Sequence, residues 1–145
     1  RLIVTHQTGE RDLVEVRESY RQAGLNAQVE TFLEPMAKAM LASDLVICRA
    51  GATTVTELAA VGRPSVLVPL RTADEHQSKN ADALVTVDAA KMIAGGDVAA
   101  ALVAHVKTLA ANRKQRSEMG AAARQLARPD AAARIVDRAL ELVHS

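Results

Sequence analysis

The chain has 145 residues, of which 49% are hydrophobic and 24% charged; this is the size and balance of one folded domain and excludes a disordered chain. Its 18 Lys and Arg residues against 17 Asp and Glu leave a formal charge of +1, and 1% of the residues are aromatic. This disfavours nucleic acid as the main partner, because both a broad positive field and stacking side chains are lacking. Apolar runs stay below the roughly 18 residues of a membrane-spanning helix.

The first part of the chain alternates short apolar runs with amphipathic stretches. Residues 2–5 predict a strand, and the helix that follows has apolar residues at helical spacing until Gly24 ends it. Residues 27–32 predict a second strand, after which Pro35 opens a helix. Residues 45–48 form a continuous apolar run, which is typical of a strand with both faces covered.

The same alternation continues after this buried strand. Residues 49–52 predict a tight turn into a helix over about 54–61, which Gly62 and Pro64 separate from a buried strand at 65–68.

The last part of the chain is mainly helical in its pattern. A helix is predicted over about 77–85 and a short strand over 90–93. The Ala-rich region 98–142 predicts helices broken near Gly120 and at Pro129. Strands that alternate with helices predict an α/β fold, a Rossmann-like parallel sheet with helices on both faces.

The first candidate site follows the strand at 45–48, where small residues lead into a helix. Ligands of open parallel sheets bind at the carboxyl ends of the strands, and a helix start presents backbone N–H groups at its positive end. Gly51 and its alanine neighbours allow a ligand to approach the backbone closely. Phosphate or pyrophosphate binding without a metal is therefore one interpretation. The alternative is a capping box, Thr54-x-x-Glu57, in which Glu57 serves the helix start.

A second candidate site is the polar segment from Asp74 to Asn80, which follows the strand at 65–68. Its amide and carboxylate side chains suit the hydroxyl groups of a sugar. The alternative here is again a capping box, Asp74-x-x-Gln77.

Several other site classes are disfavoured by residue spacing. Cys48 is the only cysteine, so an internal disulfide is impossible and the chain suits a reducing compartment. At the end of an apolar run and without a neighbouring base, Cys48 is interpreted as a small buried hydrophobe. The four histidines are far apart, so no metal site is expected. Walker A and dinucleotide-binding glycine motifs are absent from the sequence.

The two candidate sites are part of a larger set of motifs. These motifs are Cys48 to Leu58, Gly62-Arg63-Pro64, Val68-Pro69-Leu70, Asp74 to Ala81, His6 to Gly9 and Ala127 to Ala132. Together they resemble the MurG family of N-acetylglucosaminyltransferases, which complete lipid II for bacterial peptidoglycan. The resemblance implies that residues 1–145 are one nucleotide-sugar (donor) binding domain, the C-terminal lobe of a two-lobed GT-B glycosyltransferase.

The resemblance also implies roles for individual residues. It places the backbone of Leu33 against the uracil of UDP-N-acetylglucosamine, and the diphosphate and ribose against the start of the helix, with Glu57 accepting from the ribose hydroxyls. Gln77 is the residue implied to bind hydroxyls of the N-acetylglucosamine ring. The full implied binding set is Leu33, Gly51, Ala52, Thr53, Thr54, Val55, Thr56, Glu57 and Gln77. No catalytic residue, metal or other cofactor is expected in this chain.

The implied reaction is an inverting displacement at the anomeric carbon by the 4-hydroxyl of lipid I, with UDP as the leaving group. Oriented N–H groups can stabilise the charge that develops on UDP without a metal. The expected partners are the donor and, through parts missing from this chain, lipid I and the membrane. We expect a cytoplasmic chain, with the full-length enzyme peripheral on the cytoplasmic face of the cell membrane.

The sequence departs from the family pattern in two ways. It begins at Arg1 in an apolar run, without the acceptor-binding lobe and its candidate base, so we expect part of a longer protein and no transfer by the chain alone. The first βα unit of the C-terminal lobe is also missing. Because that strand lies in the middle of a doubly wound sheet, we expect strand 2–5 to pair directly with strand 45–48 or to dimerise through an exposed edge.

Two other functions stay open at this point. One is the donor-binding subunit of another, split GT-B glycosyltransferase. The other is a non-catalytic module that binds a nucleotide sugar.

Overall fold

A computed structural model describes residues 2–70 and 75–143 of the chain. Those residues form two compact units, divided between residues 42 and 43. Among their helices, none combines the length and the apolar character that crossing a bilayer requires. The assignment of residues 1–145 to one donor-binding domain stays a prediction.

The first unit is a pair of parallel strands with two helices. Its elements are β1 (Ile3–Gln7), α1 (Leu13–Gln22), β2 (Asn26–Glu30) and α2 (Met36–Ala42). The register places Ile3 opposite Asn26 and Gln7 opposite Glu30. Arg17 attaches α1 to β2, because its guanidinium donates to the Val29 carbonyl from Nε at 3.1 Å and from Nη2 at 2.8 Å.

The second unit contains three parallel strands in the order β3-β4-β5. Its elements are β3 (Val46–Cys48), α3 (Ala52–Val61), β4 (Ser65–Leu67), α4 (His76–Val85), β5 (Ala90–Met92), α5 (Val98–Ala111), α6 (Arg113–Gln125) and α7 (Ala131–Val143). All three residues of the central strand β4 are buried, which agrees with its continuous apolar sequence. The predicted α/β alternation and the parallel pairing are confirmed.

The core of the second unit holds β4 and its neighbours in place. Val66 of β4 packs with Ile93, Leu109 and Met119, all of them buried. Burial of such side chains stabilises a fold by roughly 1.5–3 kcal/mol each. The carboxyl end of β4, from which the second candidate site begins, is therefore anchored in this core. Strand β3 is only partly buried, and Ile47 in its middle is 47% exposed, so the expectation that both faces of residues 45–48 are covered was wrong.

The strand pairing corrects one expectation. In the described part of the chain β1 pairs with β2, and β3 pairs with β4. Direct pairing of residues 2–5 with residues 45–48 was therefore the wrong expectation for the described strands. Dimerisation through an exposed edge stays a prediction.

Gly120 does not break a helix, contrary to the sequence prediction. Helix α6 runs through it, and a Cβ added at this position would lie 2.7 Å from the carbonyl oxygen of Gly62. Gly62 itself ends α3 in the left-handed conformation, with φ +62°, which glycine adopts without steric cost. Gly120 therefore allows close approach to the end of α3. The actual break is at Asn112, whose side chain caps α6, whereas the predicted break at Pro129 is confirmed.

We expect Gly120→Ala to destabilise the protein by roughly 1–3 kcal/mol, because the added Cβ meets backbone that a side-chain rotation cannot move. In an exposed helix interior the same change would stabilise by about 1 kcal/mol. Urea unfolding measures the difference. Ala121→Gly, at the exposed next position of α6, is the control and should show the ordinary loss. A Gly120→Ala variant more stable than the parent would contradict the close approach.

Candidate functional site

Among residues 2–70 and 75–143, no side chain caps the backbone N–H groups at the start of α3. Gly51 is the N-cap residue, with φ −63° and ψ 148°, and it makes no side-chain capping hydrogen bond. The first backbone bond of the helix runs from the Val55 N–H to the Gly51 carbonyl at 3.0 Å. The N–H groups of residues 51–54 precede that bond, so they have no acceptor within the helix and lie at its positive end.

The capping box Thr54-x-x-Glu57 was a wrong prediction. Helix α3 begins at Ala52, so Thr54 is already in the first turn and Glu57 lies in the second. The reason is that Gly51 directly after the β3 turn takes the extended N-cap conformation, which starts the helix earlier than the Thr54 signal does. Glu57 is half-buried, and Thr56 bonds back into the helix, its hydroxyl donating to the Ala52 carbonyl at 2.9 Å.

Two amide side chains of α4 reach the turn between β3 and α3. The Gln77 Oε1 atom accepts from the backbone N–H of Ala50 at 3.2 Å and from that of Leu70 at 2.9 Å. The Asn80 Nδ2 atom donates to the Ala50 carbonyl at 3.1 Å. Because both partners of Gln77 are donors, its oxygen must face them. Its Nε2 donates to no residue of the described ranges 2–70 and 75–143. Helix α4 thus connects the segments that follow β3 and β4.

The second capping box, Asp74-x-x-Gln77, was also a wrong prediction. Asp74 lies outside the described residues, and the N-cap of α4 is Glu75, in the left-handed conformation with φ 51°. The N-cap residue of α4 is therefore one position later than this motif predicts. The Gln77 oxygen serves the two loops after β3 and β4 instead.

In the first unit, Leu33 lies just after β2 and is held by Gln7. The Leu33 N–H donates to the Gln7 Oε1 atom at 2.8 Å. Gln7 was part of a sequence motif but received no role of its own, because its contact depends on β1 and β2 ending side by side. Since the N–H of Leu33 is bound to Gln7, its carbonyl is the other backbone group with which this residue can bind a ligand.

Cys48 and Arg49 lie next to the start of α3. Burial raises the pKa of the Cys48 thiol to about 11, so the thiol stays protonated at neutral pH and is a poor nucleophile. The Arg49 guanidinium donates to the Val68 carbonyl at 3.1 Å and fastens the turn after β3. Within residues 2–70 and 75–143, no three His, Cys, Asp or Glu side chains are placed to hold a metal ion.

Comparison with known proteins assigns the chain to a family. The family model described as Glycosyltransferase family 28 C-terminal domain matches residues 1–135. The chain belongs to this family. The crystal structure of Acinetobacter baumannii MurG matches this family 28 domain with a TM-score of 0.83 at 40% identity, covering 92% of this chain and 41% of that one. The Rossmann-like fold and the MurG resemblance are thereby confirmed.

Curated relatives are longer than this family 28 domain. A Xanthomonas euvesicatoria pv. vesicatoria (strain 85-10) protein is 49% identical over 138 residues, covering 94% of this chain and 32% of its own length. Its name is UDP-N-acetylglucosamine--N-acetylmuramyl-(pentapeptide) pyrophosphoryl-undecaprenol N-acetylglucosamine transferase. A Geotalea uraniireducens (strain Rf4) protein of the same name is 43% identical over 139 residues, covering 94% of this chain and 38% of its own length. The chain spans about a third of the length of these relatives.

We expect Gly51→Asp to separate helix capping from anion binding. The backbone at Gly51 suits any residue, and an added Cβ would meet only the Thr54 hydroxyl at 3.7 Å. A carboxylate there would cap α3, making the protein about 0.5–2 kcal/mol more stable than its Gly51→Ala control. The same carboxylate would weaken pyrophosphate binding by about tenfold or more. It would accept hydrogen bonds from the same N–H groups, and its negative charge would repel the pyrophosphate. Thermal unfolding and calorimetric titration measure the two effects. Equal pyrophosphate affinity in both variants would contradict anion binding at these N–H groups.

Proposed function

We propose that this chain is the donor-binding part of an inverting glycosyltransferase. The full-length enzyme would move N-acetylglucosamine from UDP-N-acetylglucosamine to lipid I, making lipid II in peptidoglycan synthesis. Membership of family 28 and the printed names of its relatives support this assignment. The observation that carries it is the uncapped start of α3, which offers consecutive backbone donors to a diphosphate.

The diphosphate is assigned to the start of α3, residues 51–56. The N–H groups of the first turn, at the positive end of the helix, can neutralise phosphate oxygens without a metal ion. Negative charge grows on the UDP oxygen as the bond to the sugar breaks. Fixed donors aimed at that oxygen stabilise the transition state more than the bound donor, which is the condition for a faster reaction.

The ribose and the sugar are assigned to one side chain each. Glu57, half-buried in the second turn of α3, would accept hydrogen bonds from the two ribose hydroxyls. Gln77 would act through its Nε2 donor, since its oxygen is bound to Ala50 and Leu70. The group that meets Gln77 on N-acetylglucosamine would therefore be an acceptor oxygen.

Uracil is assigned to the backbone of Leu33 in the first unit. Because the Leu33 N–H already donates to Gln7, the carbonyl is the group that would accept the imide N–H of the base. A carbonyl acceptor discriminates uracil from cytosine, which carries no proton on that ring nitrogen.

Acceptor binding and membrane contact are assigned to the parts of the longer protein that this chain does not contain. In this proposal lipid I and the general base meet the donor from there, on the cytoplasmic face of the membrane. The chain itself would contribute donor recognition and stabilisation of the leaving UDP.

Calorimetric titration with UDP-N-acetylglucosamine beside UDP-glucose tests the proposal most directly. We expect the purified 145-residue chain to bind the first more tightly, and to transfer no sugar to a lipid I analogue. Absence of binding to UDP would contradict the assigned donor site. Measurable transfer by this chain alone would show that acceptor site and base lie within it.

We expect Glu57→Gln to weaken UDP binding by roughly 1.5–3 kcal/mol, because hydrogen bonds between the ribose diol and a charged acceptor are lost. Titration with UDP and with 2′,3′-dideoxy-UDP measures the effect, and only the first should respond. The matched control is Glu118→Gln on α6, where the carboxylate faces Lys114 at 3.3 Å; it should leave both affinities unchanged. Unchanged UDP affinity in Glu57→Gln would make Glu57 a structural residue only.

A further inference from the structure

The turn between β3 and α3 depends on one residue whose backbone is held by side chains of another helix. Ala50 is fully buried, with 0% of its surface exposed. Its N–H donates to Gln77 and its carbonyl accepts from Asn80. A buried backbone group without a partner is costly, so the two amides of α4 determine where the peptide groups on either side of Ala50 can point.

The bond from Asn80 has a consequence for the next residue. The Ala50 carbonyl and the Gly51 N–H belong to the same peptide group, which is planar and trans, so the two point in opposite directions. Holding the carbonyl at 3.1 Å from Asn80 Nδ2 therefore fixes the direction of the Gly51 N–H. That N–H is the first of the uncapped donors at the start of α3.

We propose that Asn80 is a positioning residue for the diphosphate of the donor, acting through the Ala50–Gly51 peptide group. This inference rests on the proposed function, since it presumes a diphosphate at the start of α3. Asn80 needs no contact with the ligand for this role. It removes the rotational freedom of one peptide group before the ligand arrives, so the cost of ordering that donor does not subtract from affinity.

The orientation of the Asn80 amide is fixed by its partner. A backbone carbonyl can only accept, so the atom that faces it is Nδ2. Asn80 is half-buried on α4, one turn after Gln77. The two side chains that bind the backbone of Ala50 therefore lie on the same face of α4. The Gln77 bond also reaches Leu70, whereas the Asn80 bond acts on the Ala50 carbonyl alone, which makes Asn80 the cleaner position to test.

Asn80→Ala in the 145-residue chain, titrated with UDP and with uridine, tests the proposal. Loss of one hydrogen bond of this kind corresponds to an affinity change of about three- to tenfold. We expect UDP to bind that much more weakly, while uridine, which has no phosphate, changes less than about twofold. The control is Asn112→Ala, which removes another asparagine side-chain bond to backbone, the cap of α6 at 2.9 Å. It should lower thermal stability without changing UDP affinity.

Several outcomes would overturn the inference. UDP affinity within twofold of the parent in a folded Asn80→Ala variant would remove the positioning role, and an equal loss for UDP and uridine would make Asn80 merely structural. If the parent chain does not bind UDP, the proposed function fails first and the inference fails with it. If the parent binds UDP and only the Asn80→Ala prediction fails, the proposed function stands.

A measurement on the unmodified chain covers the case in which Asn80→Ala does not fold. In an amide NMR titration, saturating UDP should shift the Gly51 N–H downfield, because it gains a phosphate acceptor. The Asn80 side-chain amide should stay slow to exchange, because it keeps its carbonyl. A Gly51 amide that does not respond to bound UDP, or an Asn80 side-chain amide that exchanges freely, would overturn the proposal.

Discussion

The candidate site depends on the hydrogen bonds that hold Ala50 between Gln77 and Asn80. The segment after β3 must leave the sheet and start a helix within a few residues, and this places the backbone of Ala50 where water does not reach. Backbone partners from regular structure are not in place there, so side chains of α4 supply them. The same bonds fix the direction from which α3 starts. The same hydrogen bonds therefore satisfy the buried backbone of Ala50 and orient the N–H donors at the start of α3.

The proposed diphosphate site would also account for the glycine at the start of α3. A serine, threonine or aspartate at the N-cap would stabilise the helix. Its side chain would, however, occupy the space that an anion needs and accept the hydrogen bonds of the N–H groups. Gly51 leaves them available, although its φ of −63° does not itself require glycine. Under the proposed function, the start of α3 requires space and N–H groups without side-chain partners, so some stability of the helix is given up there.

The sequence predicted the alternation of strands and helices well, because buried parallel strands and amphipathic helices leave strong local patterns. It failed where a local pattern competes with a contact distant in sequence. Two capping-box motifs were out of frame because Gly51 and Glu75 take the N-cap positions. Gly120 reads as a helix break, yet it serves an approach to Gly62.

The candidate residues divide in the same way. The start of α3 could be predicted from a strand, a small-residue turn and a helix in succession. The roles of Gln7 and Asn80 could not be predicted in this way. Gln7 binds a backbone group 26 residues away, and Asn80 binds one 30 residues away. No local spacing encodes such a bond. A signal existed only in the wider motifs of the MurG family, which contain both residues without stating what they do.

An uncapped first turn makes the stability of α3 sensitive to its surroundings. An anion seated there would complete the hydrogen bonding that the polypeptide leaves open and would act as the missing cap of the helix. Binding and folding of this turn are then thermodynamically linked, so the ligand contributes to the folding free energy in proportion to the logarithm of its concentration once the site is nearly saturated. Under the proposed function, a rising concentration of the nucleotide sugar would thus raise the free energy of unfolding of this chain.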